Sequence, residues 1–353
     1  MSIDPQTEFL DSVIADDLFS TVASFKEAGK LIALDVDEEQ QNRAKQAITT
    51  AITNASNRRA NEGSRIALIN GEPGTGKSHI LATMLCKASF EPEACVFPVI
   101  LQLTAPVSTA DYEKWLVGAI FRELGCRHLE TRENRSSLQR IAEALLAKVD
   151  DSVRAQFESL RWDDEDNLIQ QARVVARQIV RNSKDVLTES PSSGFVAALL
   201  LASVDDEDAN DYLQAGILRP SLEILRLRPI NDNSDRVEII RHLDLIMQLI
   251  DGVLVIGFDQ VEQMRNPNDA SLVGHALRQI VNVAVMTKAT CLLCAIITDA
   301  YEDAKQNHTS SLKASDIDRI EREPPRLTRL HLQASSRDFL KRVIDLRLME
   351  YGP

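Results

Sequence analysis

Gly71-Glu72-Pro73-Gly74-Thr75-Gly76-Lys77-Ser78 fits the phosphate-loop pattern G-x-x-x-x-G-K-[ST] at every fixed position, and what flanks it decides the fold. Backbone N–H groups can wrap a phosphate only where side chains are small and positive φ is permitted, which Gly71, Gly74 and Gly76 allow. In this reading the Lys77 ammonium lies between β- and γ-phosphates, and the Ser78 hydroxyl is one ligand of a Mg²⁺ that keeps most of its waters. Glu72, Pro73, Thr75 and His79 complete the stretch that would line the nucleotide. The context agrees: residues 65–70 (RIALIN) read as a buried strand, and residues 79–87 (HILATMLCK) as a helix whose N-terminus faces the phosphates.

A chain of 353 residues, 44% hydrophobic and 26% charged, can bury a large core and is ordinary for a globular protein. Its net charge of −13 argues against broad attraction to nucleic acid or anionic membrane, while leaving room for a local basic patch. Five cysteines, scattered through apolar segments, point to a reducing compartment rather than a disulfide framework. Cys291 and Cys294 form C-x-x-C, but no second Cys/His pair is near enough to complete a zinc site, and core packing is their expected role. With no signal peptide and no apolar run of membrane-spanning length, the expected location is the cytoplasm.

Residues 1–35 carry Phe9, Leu10, Val13, Ile14, Leu18 and Phe19 at helical spacing, and residues 37–59 read as a helix. Residues 94–104 read as a second strand in which Pro98 favours an edge or a bulge. From residue 106 to 250 the periodicity is helical, with acidic runs at 163–166 and 205–208 expected as solvated connections and a turn at 191–194. Residues 252–259 (GVLVIGFD) are a continuous apolar run ending in an acid, the pattern of a parallel strand buried on both faces. A helix over 271–287, a buried strand over 291–298, a basic proline-bearing segment, a strand over 326–332 and a helix over 335–350 follow.

An acid at the end of a buried strand belongs where ligands of open α/β sheets gather, so Asp259 is the expected second Mg²⁺ residue, acting through a water. The order of phosphate loop, strand ending Phe258-Asp259-Gln260, strand ending Ile297-Thr298-Asp299, basic segment and final strand resembles the AAA+ core, in particular its origin-recognition-like and STAND-like branches. The resemblance implies a three-layer P-loop NTPase fold with a mainly parallel sheet. It places Thr298 at the sensor 1 position and Arg319 and Arg322 near the arginine finger that reaches a neighbouring subunit's nucleotide, which implies a homo-oligomer.

Two departures from that family bear on activity. The residue after Asp259 is Gln260, which cannot act as a base; Glu262, in Asp259-Gln260-Val261-Glu262, resembles the D-Q-x-E variant of some STAND-type NTPases and is the catalytic candidate. The family's C-terminal lid is expected to be incomplete here or supplied from elsewhere, with one helix carrying Arg337, Lys341, Arg342 and Arg347. The expected organisation is therefore an N-terminal segment (1–35), a core in two parts (36–105 and 251–334), a helical insertion (106–250) and the start of a lid (335–353). Within the insertion, residues 212–216 (YLQAG) and the helix over 237–249 resemble ATPases of bacterial anti-phage systems, including the BREX type. The expectation is Mg²⁺-ATP binding with slow hydrolysis driving a conformational or assembly change, beside an effector protein. An ATP-gated scaffold that hardly hydrolyses, and a nucleic-acid-remodelling initiator, are the alternatives.

Overall fold

Strand β1 (Ile66–Gly71) is buried along its whole length, its apolar residues Ile66 to Ile69 followed by the buried polar Asn70. The strand lies inside a five-stranded sheet of order β2-β3-β4-β1-β5, completed by β2 (Val96–Gln102), β3 (Val253–Asp259), β4 (Thr290–Ile297) and β5 (Leu327–Leu332). Every pairing is parallel. The computed structural model describes residues 39–57, 65–73, 75–90, 95–102, 108–126, 135–159, 165–264, 272–306, 312–321 and 327–332. The expected N-terminal segment, the helix over 335–350, Gly74 and Arg322 lie outside them.

Side chains alternate across a strand, and here the alternation feeds two separate apolar cores. Ala67, Ile69, Val253, Val255, Cys291, Leu293 and Ala295 pack under helices α1 (Glu39–Ser56) and α2 (Lys77–Phe90). Ile66, Leu68, Leu254, Ile256, Phe258, Leu292, Cys294 and Ile296 face the other way, into a larger core. Helices thus cover both faces of the sheet, an arrangement compatible with three layers. The two cysteines of C-x-x-C point into opposite cores, which bears out packing as their role and rules out their sharing a metal. Burial pushes both thiols well above the ordinary range.

Between β2 and β3 the chain forms α3 (Tyr112–Gly125), α4 (Ser137–Leu146), α5 (Asp151–Glu158), α6 (Glu165–Ser183), α7 (Ser193–Ser203), α8 (Glu207–Ala215), a 3₁₀ turn (Pro220–Leu225) and α9 (Asn233–Leu249). Among the described residues of this stretch the helical character is as expected, but these helices share one continuous core with a face of the sheet. Helix α7, apolar on every side, is buried through its length, because α4, α6 and α8 surround it. The acidic run 205–208 is more than a connection: the Asp206 carboxylate accepts from the Ala209 N–H at 2.8 Å and caps α8. Pro98 sits on β2 at the sheet edge, where a missing donor is tolerated.

After β3 come a 3₁₀ turn (Val261–Met264), α10 (Leu272–Met286) and β4. The stretch read as a basic, proline-bearing segment contains two helices that the sequence reading did not name, α11 (Thr298–Gln306) and α12 (Ala314–Glu321). Helix α11 begins at the residue after β4 with no loop between them, so no turn residue announces it. Thr298, expected as the last residue of the strand, is the first of this helix.

Candidate functional site

The site lies beyond the C-terminal ends of β1, β3 and β4, where β4 stands between the other two. From Gly71 the chain turns through exposed Glu72 and Pro73, and Gly76 takes φ +85°, a left-handed conformation that glycine adopts without a Cβ clash. Thr75 closes the turn, its hydroxyl and its N–H both donating to the Glu72 carbonyl at 2.9 and 3.4 Å. Helix α2 then starts at Lys77, so Lys77, Ser78 and His79 occupy its first turn, where N–H groups lack helical acceptors and the helix dipole is positive.

Lys77 is only 8% exposed, and its ammonium donates to the carbonyls of Gly71 at 3.0 Å and Glu72 at 2.8 Å. Burial lowers its pKa; Glu262, Asp259 and Glu72, in that order, oppose the shift by their charge. The same interactions identify the acids gathered around the amine.

Asp259 is 4% exposed at the end of β3, and its Oδ1 accepts from the Ser78 hydroxyl at 2.8 Å and from the Gln260 N–H at 3.0 Å. Residues 181 positions apart are thereby joined. Burial raises the Asp259 pKa and Glu262 adds to the rise, against the Ser78 and Gln260 hydrogen bonds and the Lys77 charge. By donating its proton to Asp259, Ser78 keeps its lone pairs for another partner. Among the described residues no group of three or more His, Cys, Asp or Glu side chains is placed to hold a metal ion. One hydroxyl backed by one carboxylate instead suits a Mg²⁺ that retains water and phosphate ligands.

Gln260 adopts φ +57°, an uncommon conformation for a residue with a side chain, and so breaks the strand abruptly. Val261 is fully buried, and the 3₁₀ turn folds Glu262 back over the sheet edge. There the Glu262 carboxylate accepts from the Ile297 N–H at 3.3 Å. Ile297 is the register partner of Gly71, so Glu262 lies against the strand beside the start of the glycine-rich loop. At the next position the Thr298 hydroxyl oxygen is buried without a hydrogen-bond partner.

Lys77, Ser78, Asp259, Gln260, Glu262 and Thr298 are thus gathered at one edge. Arg319 is not part of this group: it is exposed on α12, whose neighbours are α10 and β5, and it makes no ion pair among the described residues. Of the acids on the same helix, Glu321 pairs with Lys305, and Asp316 accepts from the Lys313 N–H.

A polar cluster that the sequence reading missed lies between α3 and α10. Glu113, 4% exposed, accepts from Gln279 at 2.7 Å and lies 3.1 Å from His275, whose ring packs edge-on against Tyr112. Tyr112 is fully buried, burial raising its pKa, with Cys294 and Glu113 adding. Cys294 in turn feels Glu262 and Asp259, which links this cluster to the layer beneath the site. The only signal in the sequence was an acid on the apolar face of an amphipathic helix.

No protein-family model matches the chain, and no curated protein matches it.

Proposed function

We propose that this protein is a P-loop ATPase of the AAA+-like, three-layer type, binding Mg²⁺-ATP at residues 71–79. The observation that carries the reading is the hydrogen bond between Ser78 and Asp259, since it joins the two halves of a phosphate-and-magnesium site from opposite ends of the sequence. Lys77, held over the loop by two carbonyls, is the cation that would exchange those contacts for phosphate oxygens. Mg²⁺, when bound, neutralises phosphate charge; Ser78 would ligate it and Asp259 would hold one of its waters. Glu262 would orient and deprotonate the attacking water, and Thr298, with its unused hydroxyl, would contact that water or the γ-phosphate. Arg319 and Arg322 would act on a neighbouring subunit's nucleotide within a homo-oligomer, in a defence or signalling role beside an effector protein.

Calorimetric titration with Mg²⁺-ATP tests the reading: the parent chain should bind, and a folded Lys77→Ala variant should lose roughly 100-fold or more in affinity, as expected for loss of a charge-assisted phosphate contact. Undiminished affinity in the variant would overturn it. A second reading, an ATP-gated scaffold with little turnover, draws on the same turn: Glu262 is already engaged by the Ile297 N–H, and Gln260 cannot replace it as a base.

A further inference from the structure

Helix α6 carries Arg173, Arg177 and Arg181 at four-residue intervals, one side of the helix repeating every ~6 Å. The positions three and four residues from Arg173 and from Arg177 hold only Ile169, Gln170, Val174, Ala176, Val180 and further arginines, so no carboxylate on the helix can neutralise them. The 3₁₀ turn packs against α6, and the residue that ends it is Arg226, held at φ +55°. Arg173 lies close enough to Arg177 and Arg226 for both to disfavour its charge, on top of its half-buried position. Among the described residues none of these four arginines makes an ion pair, although basic residues nearby on the surface do: Arg154 with Glu158, Arg219 with Asp211, and Arg241 with Glu189.

Three unfavourable features coincide at this place: like charges near enough to oppose one another, partial desolvation, and a left-handed backbone at a residue other than glycine. A chain of net charge −13 has acids to spare, so a concentration of unpaired guanidinium groups marks a surface made for an external anion. Guanidinium forks match phosphate oxygens, and a step of ~6 Å is near the ~7 Å of axial rise over two phosphates of one strand. The large apolar side chains exposed among the described residues are Val174, Val186, Ile217, Val285 and Met286, with no aromatic ring on which an unpaired base could stack.

We infer that the α6 face formed by Arg173, Arg177, Arg181 and Arg226 binds the phosphate backbone of a nucleic-acid duplex without reading its sequence. The inference is independent of the nucleotide site, and the test omits ATP. Anisotropy of a labelled 20-base-pair duplex DNA is followed with the full chain between 50 and 200 mM KCl. Arg173→Gln/Arg177→Gln/Arg226→Gly should bind at least tenfold more weakly at 50 mM and give a log K versus log salt slope shallower by about 3, removing roughly 40-fold of salt sensitivity over that range. Arg226→Gly alone keeps the left-handed turn free of strain, so it should fold as the parent does and still flatten the slope by about 1. No duplex binding by the parent at 50 mM, or an unchanged slope in the triple variant, would overturn the inference. So would capture of poly-glutamate through the same arginines with no binding of the duplex.

Discussion

Glu262 owes its place to the backbone of Gln260. A left-handed Gln costs about 1 kcal/mol, and it persists because Asp259 takes its N–H while Val261, buried next to it, anchors the turn. The side chain two residues on is thereby returned to the strand edge, beside the acid and the amine that define the site. If Glu262 activates water, Glu262→Gln should keep Mg²⁺-ATP affinity within about threefold and lower steady-state turnover by roughly 10²–10⁴, the range of general-base catalysis. Paired calorimetry and phosphate-release measurements check this; turnover equal to the parent's would move the balance to the scaffold reading. The sequence pattern singled out Lys77, Ser78, Asp259 and Glu262, and the structure brings them together at one edge of the sheet. The return of Glu262 was not legible in the sequence, since a positive φ at glutamine leaves no mark in composition.

At the scale of helices and strands, a single missing side chain governs how α3 meets α8. A Cβ built on Gly118 would stand 2.5 Å from the backbone carbonyl oxygen of Gln214, and a carbonyl cannot swing aside as a side chain can. Gly118→Ala should therefore cost about 1–3 kcal/mol in urea unfolding, despite alanine's better helix propensity. Helix α9 supplies a pH dependence. His242 accepts from the Ser192 N–H at 3.4 Å and packs on the Phe195 ring, and burial, chiefly, lowers its pKa. The unfolded chain then binds the proton more readily, so the contribution of His242 is complete above about pH 6.5 and is lost as pH falls through that value towards the lowered one. Melting curves of parent and His242→Gln should converge in slope above pH 7, with the parent losing stability more steeply between pH 6.5 and 5. Strands β1, β3 and β4 were legible by their apolar runs, β5 by its alternation, and α3, α4 and α6 by their stripes. Helices α11 and α12 were not, because each is short and α11 follows β4 directly.

For the whole molecule, Arg319 stands exposed on α12 outside the gathered residues, and the proposed arginine-finger role would have it act on another copy. Hydrolysis per subunit should rise with protein concentration in the parent and become flat and low in Arg319→Ala; light scattering on the same samples reports assembly. A constant rate from a demonstrated monomer, unchanged in the variant, would remove Arg319 from the catalytic group. The order of strands in the sheet has a further consequence, in time rather than space. Both neighbours of β1 come from late in the chain, and Arg65, at its start, bonds the carbonyl of Thr287, 222 positions on. At roughly 5–20 residues per second on a ribosome, β1 waits on the order of 10–45 s for its first partner. During that interval α3 to α9 can already pack among themselves, while an apolar strand with both edges open stands ready to pair wrongly. The nascent chain should thus be a client of holding chaperones from the synthesis of β1 until β4 has emerged. Ribosome-bound intermediates ending shortly before residue 290 should be the species that aggregate.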